Sequence, residues 1–308
     1  MTKSVAKNVA ASVRQRLLNQ ARATGRPFSE LLQYFGMERF LYRLSKSRHA
    51  DKFVLKGALM LTAWKAPLLR PTMDIDLLGR TDNGVRAMIV IVKEVCAVLV
   101  DVDDGLVFEA GTVTGERIAE AAEYEGVRLR FQATLETARV PMQLDVGFGD
   151  IVVPSAVRTK YPTILDLPAP ELLAYSKESA VAEKLEAMVK LGELNSRMKD
   201  FFDIWLLSRS FDFEGVRLCE AIAKTFERRG TPIPHDVPVA LREEFAGNRQ
   251  KHAQWSGFVR RIKLSDVPAL SAVVEELRSF LVRPMYAVAN RSGYDFYWLA
   301  VTREWTQK

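Results

Sequence analysis

Asp74 and Asp76, in the segment Arg70-Pro71-Thr72-Met73-Asp74-Ile75-Asp76-Leu77-Leu78-Gly79, have the types and spacing best suited to chemistry in this chain. Side chains at i and i+2 of a strand share a face. Both carboxylates therefore point one way, while Ile75 and Leu77 point to a core. Two bare carboxylates close together repel, and burying them is costly unless a cation lies between them. Mg²⁺ is the favoured cation, a hard ion that takes oxygen ligands and completes its shell with substrate phosphates. Upstream, Phe53-Val54-Leu55-Lys56-Gly57-Ala58-Leu59-Met60 reads as a short apolar strand that breaks at Gly57 into a helix. A glycine at a helix N-terminus lets backbone N–H groups approach an anion closely. A phosphate cradle, a spacer and then paired carboxylates on the next strand is the order expected of a nucleotidyl-transfer site; the plain alternative for Asp-x-Asp alone is a solvated strand edge or turn.

Further residues extend the constellation. Asp145, in Leu144-Asp145-Val146, sits mid-strand between apolar neighbours. A third acid there completes a cluster able to hold two metal ions, which activate an attacking hydroxyl and steady a leaving pyrophosphate; the plain alternative is a surface acid on a half-exposed strand. Lys184 lies beside Val181, Leu185 and Met188 in a helical stretch. Its stem can run along the core edge and offer a point charge to a triphosphate. Asp200 and Asp203 fall one turn apart on one helical face, with Arg197 three residues ahead of Asp200. A solvated, salt-bridged face is the simpler reading of those charges.

The elements that must position these groups are legible in outline. Val5, Val9, Val13 and Leu17, spaced by four, predict a helix over residues 2–23 that ends at Gly25. Pro27 and Ser29-Glu30 open a second helix with Leu31, Leu32, Phe35, Phe40, Leu41 and Leu44 on its core face. A strand at 53–56, a helix at 57–64 and the aspartate strand at 73–78 follow. Asp82 and Asn83 are placed to cap a helix through about residue 99. Val127 to Leu135 and Val140 to Phe148 read as two strands around a polar break, Glu136-Thr137-Ala138-Arg139. The expected sheet is mixed, with a hairpin appended to a strand–helix–strand unit. Pro162, Pro168 and Pro170 mark a transition. Beyond it the pattern predicts helices at about 170–174, 176–191, 198–209, 215–228, 238–247, 250–263 and 266–282. The aromatic tail with Tyr294, Phe296, Tyr297, Trp298 and Trp305 is expected to pack against the body rather than stack on bases.

Composition excludes several classes. The 308-residue chain is 48% hydrophobic and 27% charged, as in a soluble globular protein, and no apolar run reaches the length of a membrane span. The N-terminus lacks the pattern of a secretion signal. Cys96 and Cys219 are too few for a disulfide framework or a zinc site, which points to the reducing cytoplasm. Three histidines argue against a histidine-based active site, and a net charge of +6 is compatible with a nucleic-acid or nucleotide partner. Arg14, Arg16, Arg22, Arg228, Arg229, Arg260, Arg261 and Lys263 would track phosphates if they converge, and otherwise are scattered solubilising charge.

The segments Val54-Leu55-Lys56-Gly57-Ala58-Leu59, Arg70 to Leu77, Leu144-Asp145-Val146, Ala182 to Ala187, and Leu191 to Asp203 together resemble the AbiEii/AbiGii family. That family comprises nucleotidyltransferase-type toxins of bacterial abortive-infection toxin–antitoxin systems, relatives of the MenT-type toxins. The resemblance implies an α+β fold: a polymerase-β-type nucleotidyltransferase core with a mixed sheet, then a helical C-terminal domain. The expected division is residues 1–165, the core with its N-terminal helices, and residues 166–308, mainly helical and contributing Lys184 and Asp200 to the cleft. It further implies Mg²⁺ on Asp74 and Asp76, beside which Asp145 is the third candidate metal ligand, with Lys184 and Asp200 as the essential late lysine and aspartate. Lys56, Gly57, Ala58, Arg70 and Arg197 are the expected nucleotide-binding set. Polymerase-β-type sites usually follow the glycine with a second glycine or a serine; Ala58 departs from this and removes a hydroxyl contact to phosphate. The implied reaction uses an NTP and releases pyrophosphate, the implied acceptor is the 3′ end of tRNA, and the implied protein partner is a cognate antitoxin. The rival readings are nucleotidylation of a protein or small molecule, and a non-catalytic nucleotide-binding partner of an antitoxin.

Overall fold

A computed structural model describes residues 8–66, 70–120, 124–264 and 266–307. Val5, expected in the first helix, lies outside the described residues. The chain divides into two compact units, and the division is interleaved. The first comprises the chain up to Ala63, Thr72–Gly149 and Val157–Ala174; the second comprises Trp64–Pro71, Asp150–Ala156 and the chain from Tyr175 onward.

The first unit is built on a mixed seven-stranded sheet. Its strands are β1 (Phe53–Lys56), β2 (Asp74–Gly79), β3 (Leu106–Glu120), β4 (Tyr124–Leu135), β5 (Ala138–Phe148), β6 (Val157–Lys160) and β7 (Glu171–Ala174), in the order β3-β4-β5-β2-β1-β7-β6. The central strand β2 pairs antiparallel with β1 and parallel with β5, and β1 pairs parallel with β7. Within residues 170–174, expected as helix, Glu171–Ala174 are therefore strand. Four residues are too few to show a period, and the alternation of buried Leu172 and Ala174 serves a non-local partner. The long strand β3 was not expected at all. Gly111, Gly115 and a run of polar residues mask its alternation.

Helix α1 (Val9–Thr24) starts at Asn8, whose side chain accepts from the Ala11 amide at 3.0 Å, and ends at Gly25 in the left-handed region. In α2 (Phe28–Lys46), residues 31–44 are all buried, charged ones included. Arg43 meets both oxygens of buried Asp104 at 2.6 and 3.0 Å. Glu38 faces Arg39 at 3.0 Å and accepts from the Ile164 amide at 2.7 Å. Even so, burial pushes the Glu38 carboxyl up to about 7, Arg39 opposing only in part. Helix α3 (Leu59–Ala63) is short. Helix α4 (Val85–Cys96) begins after Gly84 rather than after Asp82 or Asn83, because the Asp82 side chain accepts from the Gly84 amide in a turn that precedes the helix.

The second unit is mainly helical: α5 (Lys177–Leu191), α6 (Met198–Ser210), α7 (Gly215–Arg228), α8 (Glu243–Gly247), α9 (Arg249–Ile262) and α10 (Leu270–Ala289). Helix α10 runs through Pro284, beyond the expected end at 282, held by buried Phe280, Leu281 and Met285 on both sides of the proline. The aromatic tail folds back onto the unit. Strands β8 (Phe213–Glu214), β9 (Tyr297–Leu299) and β10 (Glu304–Thr306) form a small antiparallel sheet. Trp298 and Trp305 pack on Phe280, and the Trp298 indole donates to the Ser208 carbonyl at 2.6 Å. Among the described residues, no helix is long and apolar enough to cross a membrane.

Candidate active site

The first unit gathers the acids. In β2, Ile75 and Leu77 are buried and Asp74 and Asp76 stand on the opposite face. The sheet register places one row of charge across four strands: Arg128 of β4 opposite Asp145 of β5, Asp145 opposite Asp76 of β2, and Asp76 opposite Lys56 of β1. One step along, Asp74 is opposite Gln143. A carboxylate oxygen from each of Asp74, Asp76 and Asp145 lies within 4.8 Å of the others, and all three residues are half-buried. Three carboxylates at that separation repel one another. Two local donors offset this. Arg128 grips Asp145 with two hydrogen bonds, 2.8 and 2.6 Å, and the Thr72 hydroxyl donates to an Asp74 carboxylate oxygen. The bonds to Asp145 hold the Arg128 guanidinium above its ordinary pKa. Three convergent oxygen donors with no nitrogen or sulfur among them are a donor set for a hard divalent cation such as Mg²⁺.

Gly57 is fixed by two independent demands. Its φ of 71° lies in the left-handed region, and a Cβ on it would fall 2.0 Å from Asp76 Oδ2. The turn after β1 therefore passes against the acid strand as closely as a backbone can. The expected helix dipole contributes little here, because α3 has only five residues. The Met60 and Leu61 amides are taken by the Gly57 and Ala58 carbonyls. Ala58 is buried and has no hydroxyl to offer. On the same sheet face as the triad, a cavity of about 780 Å³ opens beside Met73, Gln143, Arg130 and Thr114.

The second unit assembles the late residues of the sequence pattern. Lys184 of α5 reaches both Asp200 and Asp203 of α6 at 2.9 Å. Arg197 donates from Nε to Asp200 at 2.6 Å, and Arg70 donates to both Asp203 oxygens at 2.8 and 3.1 Å. Both aspartates are buried. Burial works against every charge here, yet the partners outweigh it. Lys184 is held above its ordinary value by Asp200 and Asp203, and both carboxyls are held below theirs by Lys184, with Arg197 acting on Asp200 and Arg70 on Asp203. Arg70, expected to meet nucleotide, is thus engaged with Asp203.

Two participants are not evident from local sequence pattern: Asp203, whose spacing from Asp200 gives no sign that Lys184 and Arg70 share it, and Arg128, which lies within the strand expected from Val127 to Leu135. The hairpin tip gives it away: Leu135 pairs with Ala138 around a two-residue turn, and counting back along both strands puts Arg128 opposite Asp145. Arg229 does not belong to a phosphate-tracking surface. It is largely buried, with Asp150 at 3.0 Å, Glu186 at 2.8 Å and Glu183 at 3.4 Å.

Residues 39–280 match the family model described as nucleotidyl transferase AbiEii toxin, Type IV TA system. Among solved structures, the chain is similar to a candidate nucleotidyltransferase from H. pylori, at 13% identity and a TM-score of 0.45 over 86% of this chain and 98% of that one. It is also similar to JHP933 from Helicobacter pylori, at 13% identity and a TM-score of 0.41 over 82% and 90% of the two chains. No curated protein matches the sequence.

Proposed function

The chain belongs to the family of AbiEii nucleotidyl transferase toxins of Type IV toxin–antitoxin systems, and from that premise we propose a Mg²⁺-dependent transfer of a nucleoside monophosphate from an NTP to the 3′-hydroxyl of an RNA, most simply a tRNA. The convergence of Asp74, Asp76 and Asp145 within 4.8 Å carries this reading. These three side chains would hold Mg²⁺, which when bound supplies positive charge to the phosphates and to the attacking hydroxyl. Asp145 positions that hydroxyl and accepts its proton. A bond forms from the acceptor oxygen to the α-phosphorus, the bond from that phosphorus to the β-phosphate's bridging oxygen breaks, and pyrophosphate leaves. The Gly57 turn receives phosphate oxygens, and its close approach to Asp76 is the reason for glycine there. Lys184 is a second candidate for a role in transfer, its ammonium fixed by Asp200 and Asp203. No covalent protein intermediate is required; the work is positioning and electrostatics. The protein partner is a cognate antitoxin, and the compartment is the cytoplasm.

The test is to incubate wild-type and Asp76→Asn proteins with total RNA, lysate protein and each labelled NTP, then separate RNA from protein. RNA labelling should fall by about 100- to 1,000-fold in the variant. Labelling that persists at the wild-type rate, or that sits on protein, would overturn the reading.

A further inference from the structure

Deepening the proposed RNA-directed reading, and resting on it, we propose that a basic cavity in the second unit, between α6 and α9, is a binding site for linked phosphates. The cavity has a volume of about 730 Å³, and its cations are Arg70, Arg197, Lys199 and Arg261. No carboxylate lines it among the described residues.

The charge balance around it is uneven. Lys184, Arg70 and Arg197 are engaged with Asp200 and Asp203. Lys199 and Arg261 are exposed and have no ion-pair partner among the described residues, so they add positive charge that no carboxylate answers. Lys199 also lies in the first turn of α6, a 13-residue helix whose positive dipole end already sits there. Cations at that end are disfavoured by the dipole, and Asp200 answers only part of their charge. An anion of high charge is the ligand that makes this arrangement favourable. Phosphate chains supply that charge, and the guanidinium forks of Arg261 and Arg197 match their oxygens.

The walls are built rather than incidental. Lys251 of α9 is buried and donates to the Asn195 carbonyl at 2.8 Å, tying α9 to the lead-in of α6. The Asn195 side chain in turn accepts from the Arg197 amide at 2.8 Å, which sets where that cation stands. Phe258 packs against Phe202 and Trp255 beneath the cavity. At Gly257 no other side chain approaches, so the floor stays open, with Gln250 and Gln254 as amide donors beside it. Of the basic residues noted in the sequence as candidates for phosphate contact, Arg261 is the one that joins Arg197 here, and Lys199 is a newcomer.

The linked phosphates have two sources, an RNA backbone or the triphosphate of an NTP, and one experiment separates them. The double variant Lys199→Ala/Arg261→Ala is compared with wild type and with Lys199→Arg/Arg261→Lys, which keeps both charges. Binding of a fluorescent single-stranded oligoribonucleotide is titrated at several salt concentrations, and binding of each Mg·NTP is titrated alongside. If RNA occupies the cavity, the alanine pair weakens RNA binding and lowers the slope of log affinity against log salt by about 1.4, from two lost contacts at ~0.7 each. NTP affinity then stays constant, and the charge-keeping pair behaves as wild type. If the triphosphate occupies it, NTP binding weakens and the RNA slope is unmoved. Unchanged binding of both ligands overturns the site. Binding is read without turnover, with Asp76 kept in every protein compared. A failure here is thereby distinct from failure of the transferase reading, which the labelling assay alone decides.

Discussion

A methyl group on Gly57 would lie 2.0 Å from Oδ2 of Asp76, inside any van der Waals contact. The turn after β1 and the acid strand β2 are thus fitted to each other at one point, and a single atom disturbs both. Gly57→Ala must move Asp76 or the turn, and it also strains a φ of 71° by roughly 1–2 kcal/mol. The expected outcome is a folded protein with a lower melting temperature and at least about 100-fold slower transfer. Calorimetry and labelling of RNA on the same preparation check it; wild-type turnover would show that the close approach has no role in the site.

Arg128 holds Asp145 by two charge-assisted bonds that a cation at the triad must share or displace. Arg128→Met should therefore tighten Mn²⁺ binding by up to about tenfold, the equivalent of ~1.4 kcal/mol no longer needed to release the carboxylate. Titration calorimetry with Mn²⁺ on the nucleotide-free protein measures this. Weaker binding in the variant would mean that the guanidinium orders Asp145 for the cation rather than competing with it.

Asp203 balances both Arg70 and Lys184 in a buried setting. Asp203→Asn removes the carboxylate that Lys184 and Arg70 share, and removing one member of a buried ion network costs about 3–5 kcal/mol. The urea midpoint should drop accordingly, with the slope of the transition preserved. A midpoint within error of wild type would make this network a surface-like arrangement of little energetic weight.

Glu38 sets a pH dependence of known sign. Its carboxyl is raised from 4.5 to about 7 by burial, so between those values the folded protein binds the extra proton. Stability contributed by protonated Glu38 is complete below pH 4.5 and is lost as pH rises through about 7. The loss is bounded at about 3 kcal/mol from the size of the shift. In Glu38→Gln, which keeps an acceptor for the Ile164 amide, the decline in unfolding free energy between pH 5 and pH 8 should be smaller than in wild type. Denaturant titrations at the two pH values decide the matter.

The strand with Asp74 and Asp76 was the most legible part of this protein, because alternation puts both on one face whatever the rest of the fold does. The 127–148 hairpin was legible for the same reason, and its register even encodes the Arg128–Asp145 pair. Helices α5, α6, α7 and α9 followed from their periodicity to within a residue or two. What escaped was non-local. Strand β7 is defined by its parallel partner β1, and β3 by an irregular pairing with β4 that breaks between Glu109 and Thr114. The split of Asp203 between Lys184 and Arg70 joins residues 19 and 133 positions apart, which no local pattern reports.

The place of β7 has a consequence for biosynthesis. Strand β1, which delivers Gly57 to the acids, has β2 along one edge and β7 along the other. On the ribosome, that second edge stays open until Glu171–Ala174 has emerged, and Trp64–Pro71 and Asp150–Ala156 wait longer still for the unit to which they belong. A nascent chain therefore cannot complete its seven-stranded sheet while its first half alone is exposed.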